Sequence, residues 1–163
     1  MRSQDILKST QGITNMVLNS YLGDMSDGDL LKRPGADCNH IAWQLGHLIA
    51  SNTDILNLVS PGAAPELPAG FADKHSKETD RIEDPSQFYT KDEYLGMMKQ
   101  FDQALTTAID KSTEADLDQP SPERFRAWCP KVGDVFVLLV THSLMHAGQW
   151  VPVRRILGKP IVI

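Results

Sequence analysis

The chain has 163 residues and a formal net charge of -5, from 16 lysines and arginines against 21 aspartates and glutamates. This acidic balance excludes a strongly basic nucleic-acid-binding domain, and a hydrophobic content of 41% excludes a disordered tail. The length predicts a single domain over residues 1–163.

Cysteine content and hydropathy indicate the compartment. The sequence has no run of eighteen apolar residues, which predicts no membrane-spanning segment. Its two cysteines, Cys38 and Cys129, are too few for a disulfide scaffold. The N-terminal residues become acidic and amphipathic too early for a secretory signal. We therefore expect a cytoplasmic protein with two chemically inert thiols.

Two helices are predicted in the first third of the chain. The first runs from about Ser3 to Leu22. Residues at intervals of three or four share one face of this helix: Ile6, Thr10, Ile13, Val17 and Tyr21. The second runs from about Asn39, which can cap its start, to about Val59, where Pro61 and Gly62 stop it.

Two further helices are predicted in the second half. The third runs from about Lys91 to Lys111, and Thr90 with Glu93 forms a capping box at its start. The fourth runs from about Val132 to Leu157. We expect a kink or a break at Pro152, because proline removes a backbone donor and clashes with the preceding turn.

The helices and the segments between them predict an all-α fold. No stretch has a convincing strand pattern, and the four helices account for the length as a four-helix bundle. The connecting segments are about fifteen to thirty residues long, so the bundle can contain long crossover connections instead of simple hairpins.

Three histidines on apolar helices form a candidate metal site. His142 and His146 are four residues apart, so they lie on one helical face, and both imidazoles can reach one ion. His47 lies in a second apolar helix and can supply a third nitrogen. Three protein ligands and an open position are typical of catalytic zinc, although imidazole also suits nickel, iron and copper. The alternative is a set of polar core residues bonded to backbone or water.

Further polar and aromatic residues are tentative candidates near this site. Gln149 follows His146 by three residues and either supports a ligand or forms a helix–helix hydrogen bond. Trp43 either walls the pocket or belongs to the core. His40 either lines the pocket mouth as an acid or base or, as we favour, lies at the surface where its helix begins. His75 is expected in a solvated loop.

The C-terminal end is basic and apolar. Arg154, Arg155 and Lys159 can attract an anionic substrate or lie at a solvent-exposed or dimer edge. The apolar residues 160–163 are expected to pack on the bundle or on a second subunit.

Two segments carry a family resemblance. Residues 43–48, Trp-Gln-Leu-Gly-His-Leu, resemble the W-x-L-G-H-L element of the DinB-like superfamily. Residues 142–149 and 154–160 resemble its H-x3-H-x-G-Q and R-R-x-L-G-K-P elements. The resemblance implies a four-helix bundle with long crossovers, commonly dimeric, and a divalent metal ion held at the positions of His47, His142 and His146. Relatives of this fold include transferases and isomerases that use bacillithiol, mycothiol or glutathione.

Three functions remain open at this point. The first is a metal-dependent enzyme, with zinc or nickel at an open three-histidine site. It would act on a small-molecule substrate by thiol-dependent S-transfer, isomerisation or hydrolysis, with a low-molecular-weight thiol as a candidate cofactor. The second is a non-catalytic metal- or small-ligand-binding protein related to stress. The third is a structural dimer with a histidine network in its core. In each case we expect a homodimer that binds neither nucleic acid nor membrane.

Overall fold

The computed structural model of the protein describes residues 1–162, and this part of the chain is all-helical, as predicted. Four of its helices are long and three are single turns. In chain order they are α1 (Ser3–Leu22), α2 (Asp27–Leu30), α3 (Ile41–Val59), α4 (Phe71–Lys74), α5 (Lys91–Lys111), α6 (Glu114–Leu117) and α7 (Val132–Ile156). None of the helices within this range is both long and apolar enough to cross a bilayer.

Hydrogen bonds between the long helices define their directions. Thr14 in α1 donates to the carbonyl oxygen of Val140 in α7 (2.6 Å), and Arg154 donates to that of Tyr21 (2.6 Å), so α1 and α7 run parallel. Gln4 at the start of α1 bonds to the carbonyl oxygen of Ser112 beyond the end of α5, so these two helices are antiparallel.

The second pair of long helices runs the other way. In α3, Gln44 and Asn52 bond to Trp150 and His142 of α7, so α3 is antiparallel to α7. It follows that α3 and α5 run parallel, and the segment between them must return along the length of the bundle. This is the long crossover that the sequence predicts, and α4 lies within it.

The face of α1 that enters the core differs in part from the predicted one. Tyr21 is buried as predicted, but Ile6 and Ile13 are 52% and 55% exposed, and the buried face carries Leu7, Gln11 and Leu18 instead. Gln11 is polar, but it donates to the backbone oxygen of Asp102 (2.9 Å) and accepts from Thr106 (3.0 Å) on α5. Apolar periodicity cannot predict the burial of a polar residue whose partners lie on a neighbouring helix.

The start of α5 follows its prediction, but the start of α3 differs. The Thr90 hydroxyl accepts from the backbone N–H of Glu93, whose carboxylate accepts from that of Thr90, which is the expected capping box. Helix α3 begins at Ile41, two residues later than predicted. Its cap is His40, whose Nδ1 accepts from the backbone N–H of Trp43 (3.1 Å).

Helix α7 continues through Pro152 to Ile156, so the predicted break does not occur. Proline leaves the carbonyl four residues earlier, that of Gly148, without its helical partner. Pro152 and Gly148 are both exposed, and a Cβ on Gly148 would meet nothing within 4 Å. The lost hydrogen bond therefore lies on the solvent side, where water can replace it.

Arg154 ties the end of α7 to the end of α1 and is fully buried, contrary to the predicted exposed or dimer-edge position. It forms two hydrogen bonds with the carboxylate of Asp24 (2.6 and 3.0 Å) and two with the carbonyl oxygen of Pro160. The first of these contacts lowers the pKa of Asp24. The tail residues 160–162 are exposed apart from the bond of the Pro160 carbonyl to Arg154, so packing on a second subunit stays a prediction; Ile163 lies outside the described residues.

Candidate metal centre

The three candidate histidines come together between α3 and α7. One ring nitrogen each of His47, His142 and His146 lie within 4.8 Å of one another. The ring centroids of His142 and His146 are 5.2 Å apart, and those of His47 and His146 are 5.5 Å apart. The antiparallel pairing of the two helices brings His47 beside the turn of α7 that carries the other two.

Two amide side chains of α3 orient the histidines of α7. His142 donates from Nδ1 to the side-chain oxygen of Asn52 (2.8 Å), and His146 donates from Nδ1 to that of Gln44 (3.2 Å). With the proton on Nδ1, the lone pair of each neutral ring is on Nε2. An acceptor on the outer nitrogen is the usual way in which proteins orient a ligating histidine.

The side-chain amide of Gln44 forms hydrogen bonds through both its oxygen and its nitrogen. Its oxygen also accepts from the indole N–H of Trp150 (2.9 Å), and its nitrogen donates to the carbonyl oxygen of Asn39 (2.8 Å). Gln44 and Trp150 are both buried. These contacts leave one orientation for the amide, which in turn leaves one tautomer for His146.

Trp43 lies against the third histidine. Its ring is parallel to that of His47, with centroids 5.2 Å apart and an angle of 3°. Trp43 is 5% exposed, and its indole N–H donates to the carbonyl oxygen of Ser76 (3.1 Å) and to the hydroxyl of Thr79 (3.2 Å). It therefore belongs to the core and also borders the histidine cluster, and its role as a pocket wall stays a prediction.

Burial keeps the three imidazoles neutral. It lowers the pKa of His47, of His142 and of His146, in the last case to about 4. Coulombic repulsion from the neighbouring histidines adds to the effect of burial at His142 and His146. A neutral imidazole is the form that binds a metal ion.

The donor set fits a divalent metal ion. Nitrogens bound to one tetrahedral zinc ion lie about 3.3 Å apart, as follows from Zn–N bonds of about 2.0–2.1 Å. The separations of up to 4.8 Å in the cluster therefore require a small inward movement of the side chains. The group contains three histidines and no carboxylate or thiolate, which leaves a coordination position for another molecule.

The other two histidines are structural, and the prediction that they lie at the surface or in a solvated loop is wrong. His40 is fully buried; it caps α3 through Nδ1 and donates from Nε2 to the carbonyl oxygen of Ile82 (3.0 Å). His75 is 2% exposed and bonds to the carbonyl oxygen of Phe71 and to the hydroxyl of Tyr94, both at 2.8 Å. With both ring nitrogens occupied, His40 has none free to act as an acid or base.

Gly46 explains how His75 fits against α3. A Cβ added to Gly46 would lie 2.0 Å from Cδ2 of the His75 ring, far inside van der Waals contact. The glycine in the W-x-L-G-H-L element therefore makes room for the loop histidine beside His47.

Gln149 lies away from the centre. It is exposed, and its side chain makes no hydrogen bond with any residue in the range 1–162. The supporting role considered for it is taken by Gln44 and Asn52, which the sequence analysis did not single out. Both are polar residues within the buried stretch of α3, and this contrast with their apolar neighbours could have marked them in the sequence as candidate partners of the histidines.

The two cysteines lie apart from the histidine cluster. Cys129 is buried, and burial raises the pKa of its thiol, which disfavours the reactive thiolate. Cys38 is exposed. Neither belongs to the group of potential metal ligands.

Comparison with known proteins identifies the family. No curated protein matches the chain. The sequence profile described as DinB superfamily matches residues 13–150, which is most of the chain and includes all three clustered histidines. Together with the all-helical fold, this match shows that the chain belongs to the DinB superfamily.

Proposed function

We propose that the protein is a metal-dependent enzyme in which His47, His142 and His146 bind one divalent ion, zinc or nickel. Its substrate is a small molecule, and the reaction is a thiol-dependent S-transfer, an isomerisation through a thiol adduct, or a hydrolysis. A low-molecular-weight thiol is the proposed co-substrate of the first two reactions.

The observation that carries this proposal is the hydrogen bonding of the cluster. Asn52 and Gln44 occupy Nδ1 of His142 and His146, while Nε2 of both rings has no hydrogen-bond partner in residues 1–162. Neither Nε2 is among the buried side-chain atoms without a partner, so both can be reached from outside, and ring nitrogens of all three histidines grouped within 4.8 Å favour a shared cation. A metal ion bound there would supply Lewis acidity and lower the pKa of a coordinated water or thiol.

Metal content tests the proposal. Elemental mass spectrometry on untagged protein should find about one zinc or nickel per chain in the wild type and none in His47→Ala or His142→Ala. Asn52→Ala should retain the site with roughly 10- to 100-fold weaker affinity, the usual cost of losing a residue that orients a ligand. Gln149→Ala, an exposed change on the same helix, is the control and should bind like the wild type.

A wild type that takes up no zinc or nickel would overturn the proposal. The histidines would then be a polar network within the bundle. The same result would follow if the alanine variants bound metal as well as the wild type does.

A non-catalytic metal-binding protein is the second candidate. It is favoured by the composition of the cluster, which holds three histidines but no carboxylate that could serve as a general base. A screen of thiols with electrophilic substrates separates the two candidates, since turnover that depends on bound metal excludes a purely binding role.

We also propose that the protein is a homodimer. Exposed apolar side chains lie along α1 and α7, with Ile6, Ile13 and Val137 each more than half exposed. These two helices are neighbours, and α7 carries no charged residue from Val135 to Val153. Multi-angle light scattering should give twice the chain mass of 18.1 kDa, and the monomer mass would contradict the proposal.

A further inference from the structure

A groove lies between α1 and α5, on the side of the bundle away from the histidine cluster. Both α1 and α3 pack on α5 and on α7, so the α1–α5 and α3–α7 interfaces lie on opposite sides of the bundle. The groove has a volume of about 790 Å³, within the range of about 300–1,000 Å³ that is usual for small-molecule sites. None of the three clustered histidines lines it. The proposed metal centre therefore makes no use of this groove.

The walls of the groove combine apolar and polar side chains. Leu18 of α1 and Leu95 and Met98 of α5 supply apolar surface. Asn15 of α1 and Asp102 of α5 supply polar groups between them. A molecule that complements these walls therefore has an apolar body and a polar end.

Asp102 is a partly buried carboxylate that has no cationic partner within residues 1–162. Its Oδ1 accepts a long hydrogen bond from the side chain of Gln11 (3.3 Å). Two lysines line the groove, but Lys8 is bound to Asp110 (2.6 Å), and Lys99 is exposed and forms no ion pair in the same range. Burial raises the pKa of Asp102, and a positive charge placed beside the carboxylate would lower it again.

We propose that the α1–α5 groove is a second binding site, for a small organic cation with an apolar body, and that the ammonium group of this ligand pairs with Asp102. An ammonium has three donors, and the side-chain oxygen of Asn15 in the same groove offers a second acceptor. The leucine and methionine side chains would cover the apolar body. Asp102 is then the residue that selects for positive charge.

Two probes of equal size and different charge test this inference. Isotope-labelled protein is titrated at neutral pH with phenethylamine, which is a cation, and with phenethyl alcohol, which is neutral, and the backbone amide chemical shifts are recorded. The wild type should bind the amine roughly tenfold more tightly than the alcohol, the effect of one charge-assisted hydrogen bond. The largest shifts should lie in α1 and α5.

Asp102→Asn should bind both probes equally, because it removes the charge and keeps an oxygen that accepts from Gln11. Asp92→Asn is the matched control, since it removes an exposed acid from the same helix outside the groove. This control should keep the preference for the amine. Equal affinity of the wild type for the two probes, or loss of the preference in both variants, would overturn the inference.

Gly12 permits a second test that does not depend on charge. It lines the groove, and a Cβ added there would meet nothing within 4 Å, so Gly12→Leu should fold and project a side chain into the groove. This variant should weaken the binding of both probes, whereas Gly148→Leu on α7 should bind them like the wild type. Unchanged binding by Gly12→Leu, no saturable shift with either probe, or shifts confined to α3 and α7 would contradict the proposed site.

Discussion

Four of the five histidines divide into two groups that differ in how their ring nitrogens are used. In His40 and His75 both nitrogens have hydrogen-bond partners, namely backbone groups and the hydroxyl of Tyr94. In His142 and His146 only Nδ1 is bonded, to an amide oxygen. All four are at least half-buried, so burial alone does not distinguish a structural histidine from a candidate ligand.

This difference in hydrogen bonding follows from the donor and acceptor groups of the imidazole ring. A neutral ring is one donor and one acceptor, and both must be used if the ring is to be buried at low cost. Phe71, in the crossover between α3 and α5, and Tyr94 of α5 supply both partners for His75. At the α3–α7 interface, Asn52 and Gln44 bond only Nδ1 of His142 and His146, and the Nε2 atoms, which are not buried, stay available to an ion. Three experiments can break or sharpen this comparison.

The largest effect is expected for His75→Ala. The change empties a buried position and leaves the Phe71 carbonyl and the Tyr94 hydroxyl without their partner, which should cost about 3 kcal/mol or more of unfolding free energy. His47→Ala in metal-free protein should cost about 1 kcal/mol or less, since it loses ring contacts with Trp43, His142 and His146 but no hydrogen bond to residues 1–162. Urea denaturation with a chelator present measures both, and equal losses would abolish the distinction between the two groups.

An intermediate effect is expected for Gly46→Ala. The new methyl group would collide with the His75 ring, which two hydrogen bonds hold in place, and overpacking of this kind costs about 1–3 kcal/mol. Gly148→Ala is the matched control on α7, where the methyl group meets nothing within 4 Å. That change should stabilise the helix by up to about 1 kcal/mol. Relative to the wild type, the melting temperature should fall for Gly46→Ala and rise for Gly148→Ala. A rise for both would show that His75 can move aside.

The third effect depends on pH and is absent at neutral pH. Burial lowers the pKa of His40 from 6.5 to about 4, so between these values the unfolded chain binds a proton there that the folded chain does not. Stability present above pH 6.5 is therefore lost as the pH falls toward 4. His40→Asn keeps a capping acceptor and removes the titration, so its unfolding free energy should fall less steeply over this range than that of the wild type. If the unfolding free energies of the two proteins fell equally with pH, the folded structure would not lower the pKa of His40.

Much of the fold could be predicted because periodicity and capping act locally. The bounds of α1 and α5 and the capping box at Thr90 follow from residues within a few positions of each other. The extent of α7 to about Leu157 was predicted, but whether Pro152 breaks the helix could not be, since that depends on which side of the helix faces solvent. The ion pair of the buried Arg154 likewise requires Asp24, which is 130 residues away in sequence.

For the candidate site, the residue types and spacing of His47, His142 and His146 were sufficient to single them out from the sequence, because helical geometry places residues four apart on one face. Only the tertiary structure decided that Gln44 and Asn52 orient two of them, that Gln149 faces solvent, and that His75 packs against Gly46. These are contacts between elements distant in the chain. Their partners depend on the direction and rotation of each helix in the bundle, which the local pattern of a single sequence does not encode.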